Sequence, residues 1–404
     1  MAQNKPEVTQ KPKNDPIPDL LKPGDIIFEK YQVLNTLAKG GMDSSIYKGV
    51  NITLNPDLST DAALSTVVIK IVKRLPKMKQ HNWIKFCEEL VTATRAQHKN
   101  LVQTYDVARQ YINVNRNNEI IRLDDVAVIV MEYVSGPSLR SLLSNKGYFS
   151  VDEAMYYFKK MVLAIRSLHT YSHMIIHRDL KPENILLSED LRELKIVDFG
   201  ISSSIIMNGL NNIETITNEK SLFGTVEYMS PDNLEQDVDK NGKPIRKAPT
   251  PQLDFHSMGV ILFEMLTGEK PFLKDPKEDK VTIKKAKYYD MPVMSGIRYD
   301  IPNSVENIVF RCIASKLEDL HFRYKNCDEI LQDVETYNSE ERRNQPLLKP
   351  VGLRVLERND SFNPHMTKTE EKFFYKRWFF ILCTGLIVMM GATVLILSIL
   401  FFTQ

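Results

Sequence analysis

The residues able to do chemistry fall into three short strings. His177-Arg178-Asp179-Leu180-Lys181-Pro182-Glu183-Asn184 gathers a carboxylate, an ammonium and an amide on one loop between a helical run and the strand-like ILL. Fourteen residues beyond Asn184 stands Asp198-Phe199-Gly200, preceded by the apolar run LKIV. An amide and a carboxylate at the ends of short strands suit Mg²⁺, a hard ion that prefers oxygen ligands. Asp179 is then the group to take or orient a hydroxyl proton. Upstream, Val67-Val68-Ile69-Lys70 ends a strand with one lysine among apolar neighbours. A lysine so placed is costly without an anion, and Glu89 on the following helix is the candidate partner.

Such groups work only if scaffolding holds them. The runs YQVLNTLA, SSIYKGV, STVVIKIV and VAVIVMEYV, rich in Val, Ile and Tyr, predict an antiparallel sheet beginning at Tyr31. Between them, WIKFCEELVTATRAQ carries Phe86, Leu90 and Ala93 at helical spacing. After Gly136-Pro137 the pattern turns helical, with VDEAMYYFKKMVLAIRSLHTY and later DFHSMGVILFEMLTG. The expected fold is α+β, a small β-rich lobe followed by a larger helical one. Residues 1–25 hold five prolines and read as a flexible arm with no signal peptide. Residues 337–377 are polar and read as a tether.

Composition narrows the function. The 404 residues suffice for two or three domain-sized units, and 43% hydrophobic with 26% charged residues is globular. A net charge of +2 lacks the basic excess of nucleic-acid binders, so no nucleic-acid partner is expected. The cysteines Cys87, Cys312, Cys327 and Cys383 form no C-x-x-C pair, which excludes a disulfide framework or zinc module.

From Trp378 to Phe402 run 25 residues without a charge. As a helix they extend about 37 Å, enough to cross a hydrocarbon core of about 30 Å with some tilt. Lys372, Lys376 and Arg377 precede the run, which predicts a single-pass membrane protein whose main part is cytoplasmic. Only Thr403 and Gln404 follow, so no extracellular sensor domain is expected. Thr384, Gly391 and Ser398 recur at seven-residue intervals, a small-residue face through which a homodimer would pack.

The three strings together resemble the signature set of protein kinases, in the family's order, over residues 30–336. The chain is similar to the eukaryotic-like (Hanks-type) serine/threonine kinases anchored in bacterial membranes. That resemblance implies a bilobal kinase domain over 26–336, with the N-lobe to about 131, a hinge at 132–137 and the C-lobe over 138–336. It implies ATP and Mg²⁺ as cofactors, with Mn²⁺ able to use the same oxygen ligands, and protein substrates. Asp179 would orient the substrate hydroxyl, Asn184 and Asp198 would bind the metal, and Lys181 would neutralise the transferring phosphoryl group. Lys70, paired with Glu89 rather than its neighbour Glu88, would hold the α- and β-phosphates. Leu37, Gly40, Gly41 and Ile46 correspond to the loop over the phosphates. Met131 would line the back of the adenine pocket, and the backbone of Glu132 and Val134 would bond the adenine edge.

Lys181 and the Gly224-Thr225 pair resemble the serine/threonine branch. The activation segment would run from Asp198 to Asp232, with Thr215 and Thr217 as phosphorylation candidates and Arg178 as their partner. Asp232 stands where the family usually has Glu, opposite Arg323. The glycine-rich loop departs most from the pattern. Ala38 and Asp43 replace its first and third glycines, and Val68 replaces an alanine against the adenine. These changes would weaken ATP binding. They keep a second expectation open, a membrane-tethered pseudokinase scaffold.

Overall fold

The structure is a computed structural model and describes residues 20–40, 44–54, 65–76, 78–198, 227–234, 236–238, 244–246, 249–272, 291–348 and 353–355. The chain divides into two compact units, Met1–Glu88 with Gln103–Tyr133, and Glu89–Val102 with Val134–Gln404.

The first unit is built on one eight-stranded sheet. Its strands are β1 (Ile26–Ile27), β2 (Tyr31–Gly40), β3 (Ser44–Asn51), β4 (Thr66–Lys73), β5 (Thr104–Ala108), β6 (Tyr111–Arg116), β7 (Glu119–Asp124) and β8 (Val126–Glu132), in the order β5-β8-β4-β3-β2-β1-β6-β7. The pleat sends alternate side chains to opposite faces. Tyr47, Val67, Ile69, Ile71, Val128 and Val130 therefore share one side, where Tyr31, Val33, Ile112 and Val114 close a buried core over them.

Two features of this unit differ from the sequence reading. The hairpin β6–β7 was not among the expected strands. Its turn is Asn117-Asn118, both with positive φ (52° and 67°), the two-residue geometry that matches the right-handed strand twist. The dipeptide Asn-Asn between alternating apolar runs is the sequence signal for it. The arm expected over 1–25 is part of the unit from residue 20. Leu21 is buried, and Arg116 grips the buried Asp25 at 2.8 and 2.7 Å.

The second unit is mostly helical. Helix α1 (Gln80–Ala93) begins in the first unit and ends in the second, burying Trp83, Phe86, Cys87, Leu90 and Ala93. There follow α2 (Leu139–Lys146), α3 (Val151–His169), the hairpin of β9 (Ile185–Leu187) with β10 (Leu194–Ile196), a second short hairpin of β11 (Gln236–Val238) with β12 (Pro244–Arg246), and α4 (Gln252–Thr267). Ser138 and Ser150 cap α2 and α3, each accepting an orphan N–H of the first turn. Every residue of α4 from Leu253 to Thr267 is buried, so this helix is the core of its unit. At Gly259 an added Cβ would meet the Cys312 Cβ at 2.5 Å, and only glycine permits so close an approach of the next helix.

That next helix is α5 (Asn303–Ile313), followed by α6 (Cys327–Thr336). The stretch 337–377, read as a tether, contains further elements among its described residues. Helix α7 (Glu340–Arg343) follows, and β14 (Leu353–Val355) pairs in parallel with β13 (Met291–Val293). The apolar run 378–402 lies outside the described residues, as do Thr215 and Thr217. Among the described residues no helix is long and apolar enough to cross a membrane. Cys87, Cys312 and Cys327 are buried free thiols, and Cys383 lies outside the described residues.

Candidate active site

The 177–184 loop leaves α3 and enters β9, and one side chain from α4 holds its backbone. Asp254 accepts the His177 N–H at 2.9 Å and the Arg178 N–H at 2.8 Å. A third partner, His169 Nε2, lies 2.8 Å from the same carboxylate. Burial alone pushes the Asp254 carboxyl up. The His169 bond and charge, with the Arg178 N–H, outweigh it, holding the group below its ordinary value.

Arg178 (φ +66°) and Asp198 (φ +63°) both occupy the left-handed region. Each such residue costs roughly 1–3 kcal/mol and persists only where its surroundings over-determine it. Asp254 supplies that constraint at Arg178. Burial pulls the Arg178 guanidinium below its usual value, with the Glu89 and Asp254 carboxylates opposing.

Within the loop, His177 acts as an internal brace. Its Nδ1 accepts the Asp179 N–H at 3.3 Å, and its Nε2 faces the Val197 carbonyl at 3.1 Å. This pairing assigns the proton to Nε2. The Asp179 carboxylate, buried, is flanked by Lys181 Nζ at 3.2 Å and by Asn184 Nδ2 at 3.1 Å. The same Nδ2 donates to the Asp179 carbonyl at 2.9 Å. Asn184 thus spends its donors on Asp179 and keeps Oδ1, a hard oxygen, for a cation. The Val197 N–H donates to the Asn184 carbonyl at 3.0 Å, and Ile185 pairs with Ile196. Asn184 and Asp198 therefore leave the same end of one hairpin. Two hard-oxygen donors so placed are of the chemical type that suits Mg²⁺.

The first unit carries Lys70 and most of the residues expected to face the nucleotide. Lys70 is only 6% exposed. Its ladder partners are Ile46 on β3 and Ile129 on β8, while Val68 pairs with Lys48 and Met131. The pleat thus puts Ile46, Val68, Lys70 and Met131 on one face, opposite the sheet's own core, and Ala38 joins them across from Ile46. Leu37 is exposed, at a register shift in β2, and Gly40 faces Ser44 at the end of the ladder. Gly41 and Asp43 lie outside the described residues.

At the crossing between units, Glu132 is tied to Gln103 twice, by its N–H at 2.9 Å and its carboxylate at 3.1 Å. Val134 opens the second unit, half-buried. At Gly136 a Cβ would lie 2.2 Å from the Leu187 carbonyl, so glycine is required there. Glu89 is half-buried where Glu88 is exposed, which favours Glu89 as the inward carboxylate. Lys70 and Glu89 belong to different units.

Two clusters carry roles that the sequence reading had not assigned. The first is Asp254 with His169. The second is centred on Arg140 of α2, which reaches Glu183 at 2.7 Å, Glu264 at 2.7 Å and the Tyr228 hydroxyl. Tyr228 in turn donates to Glu264 at 2.6 Å. Burial opposes the Arg140 charge, but Glu264, Tyr228 and Glu183 prevail and raise it. Both clusters have a sequence signal: Asp254 and Glu264 are the two carboxylates of a largely apolar helix and need partners there. A third pair was expected and is present, Arg323 to Asp232 at 2.7 Å. The shorter carboxylate reaches.

Comparison with known proteins agrees with this arrangement. Residues 58–344 match the protein kinase domain family. A putative serine/threonine-protein kinase of Mycoplasma genitalium is 45% identical over 385 residues, covering 94% of this chain and 98% of that one. A protein of the same description from Mycoplasma pneumoniae is 44% identical over 382 residues, 94% and 95% of the two chains. Serine/threonine-protein kinase PrkC of Bacillus subtilis is 30% identical over 325 residues, 80% of this chain but 42% of that one. The chain belongs to the protein kinase family, in its bacterial, Hanks-type serine/threonine branch.

Proposed function

We propose that this protein transfers the γ-phosphoryl group of ATP to serine and threonine hydroxyls of proteins. The observation that carries the reading is the Asp179 carboxylate, buried between Lys181 and Asn184 on a loop whose backbone Asp254 fixes. Asp179 accepts the hydrogen bond of the incoming hydroxyl and orients it toward the phosphoryl group. Lys181, beside Asp179, offsets the charge of the phosphoryl group in transfer. Lys70 binds the α- and β-phosphates, with Glu89 as its counter-ion. Mg²⁺, held by Asn184 Oδ1 and the Asp198 carboxylate, would supply positive charge to the phosphates. Ile46, Val68 and Met131 offer an apolar face to the adenine, and Glu132 and Val134 its backbone partners.

The same proposal places the enzyme at a membrane. The uncharged run 378–402 would anchor it as a single-pass helix in a bacterial cell membrane. The basic residues before that run would keep the kinase domain cytoplasmic. A homodimer packed through Thr384, Gly391 and Ser398 would let one copy phosphorylate Thr215 and Thr217 of the other. A phosphate there would pair with Arg178.

The test uses the full chain in detergent with labelled ATP and Mg²⁺, beside Asp179→Asn, with phosphopeptides mapped. Label on serine or threonine in the native chain and none in the variant is the expected result. ATP-dependent thermal stabilisation without transfer, with Mn²⁺ and a generic acceptor also tried, would support the pseudokinase scaffold instead. Protease shaving of closed and opened vesicles separately tests the anchor. The kinase domain should be cleaved only when its own side is exposed.

A further inference from the structure

The first turns of α5 hold two separate stretches of backbone. Asn303 Nδ2 donates to the Gln345 carbonyl at 3.2 Å, and Ser304 Oγ to the Tyr337 carbonyl at 2.8 Å. Glu306 accepts the Met294 N–H at 2.8 Å, just after β13. Asn307 is used twice: its Nδ2 donates to the Pro346 carbonyl at 3.1 Å, and its Oδ1 accepts the Leu348 N–H at 2.8 Å. One side-chain amide thus reads an extended segment as a neighbouring strand would. Arg342 of α7 adds an ion pair to Asp333 of α6, and the Tyr337 hydroxyl donates to Asp152 at 2.7 Å. Beyond this, β14 pairs with β13, so both ends of the arrangement return to α5.

The chemistry of this attachment is unlike that of the core it rests on. No residue from 335 to 348 is buried, and α7 contributes no buried side chain. Polar contacts with only partial apolar burial, here at Leu347 and Leu348, belong to the low-stability end of a fold, where segments open as units ahead of the core. We infer that residues 337–348 and 353–355 form a releasable strap, docked on α5 through Asn307 and opening as a unit while the α3–α4–α5 core stays folded. Its release uncovers Asn303, Ser304 and Asn307 and the edge of β13. The strap lies between α6 and the chain beyond Val355. A force or partner acting on that chain would meet the strap first and reach β13 through it.

Hydrogen exchange of the full chain, followed peptide by peptide, tests the strap. In the native chain, peptides spanning 344–348 and 353–355 should exchange about tenfold or more slower than unstructured sequence, yet far faster than α4. Leu348→Pro removes the N–H that Asn307 reads without touching α5. It should accelerate exchange at 353–355 and 291–293 about tenfold and leave α4 unchanged. Asn307→Ala should do the same. If it also loosens α4, the Leu348→Pro result decides alone. Unstructured rates in the native chain would overturn docking, and exchange only together with α4 would overturn release. Strap peptides unmoved by Leu348→Pro would overturn the Asn307 clasp.

Discussion

Asp254 accepts the backbone N–H of Arg178 at 2.8 Å, from a helix buried on every side to a loop residue in the left-handed region. The second carboxylate oxygen takes the N–H of His177. One side chain therefore sets the path of the loop that presents Asp179. In Asp254→Asn one buried N–H meets an amide NH₂ and loses its acceptor. The expected cost is about 1–3 kcal/mol of stability, with phosphoryl transfer falling further than unfolding explains. Thermal unfolding and transfer assays on the same sample check this.

The same carboxylate makes stability depend on pH. Its folded value lies below the unfolded one, so its contribution is complete above the unfolded value of 3.8. The contribution is lost as pH falls through 3.8 toward the lower folded value. Native chain and Asp254→Asn should thus converge in melting temperature at the acid end of a pH series, and diverge above it.

Glu306 has the opposite sign. Burial raises its carboxyl above the ordinary 4.5, with the Met294 and Ser295 N–H groups opposing. The folded chain then holds the proton more tightly than the unfolded chain, so stability falls as pH rises from about 4.5 through the raised value. Glu306→Gln keeps an oxygen for Met294 and removes the titration. Its melting temperature relative to the native chain should climb across that window. A constant difference would show that Glu306 does not titrate there.

Removing Arg140 leaves Glu264, almost fully buried, without its cation. Arg140→Ala should destabilise by about 2–4 kcal/mol, because an uncompensated buried charge costs more than the pair contributes. Tyr228→Phe should cost about 1–2 kcal/mol. Because the three groups share one network, the double variant should lose less than the two effects added, by about 0.5 kcal/mol or more. Denaturant unfolding of the full double-mutant cycle measures that difference.

Asp232 reaches Arg323 with one methylene fewer than a glutamate would have. The partly exposed pair should tolerate Asp232→Glu within about 0.5 kcal/mol, whereas Asp232→Ala should cost about 1–3 kcal/mol through the Arg323 guanidinium left behind. Thermal unfolding ranks the two.

Much of this protein was legible in its sequence because the information is local. The runs that became β2, β3, β4 and β8 are short and rich in Val, Ile and Tyr, and the runs that became α3 and α4 carry long apolar faces bounded by Ser150 and Gly268. HRDLKPEN and the aspartate after LKIV named Asp179, Lys181, Asn184 and Asp198, since loop chemistry is written in consecutive residues. The ladder register, by contrast, was decided by the fold, and it put Lys70 on one face with Ile46 and Met131. What tertiary structure alone decided joins residues far apart in the chain. Asp254 meets His177, Arg140 meets Glu264, and Asn307 meets Leu348, across separations that no periodicity encodes. A polar stretch such as 337–348 reads as solvated from its composition, because its partners are single side chains on another helix. Apolar pattern predicts burial, which depends on a residue's own chemistry. The partner of a polar group depends on which distant segment packing brings within hydrogen-bond reach.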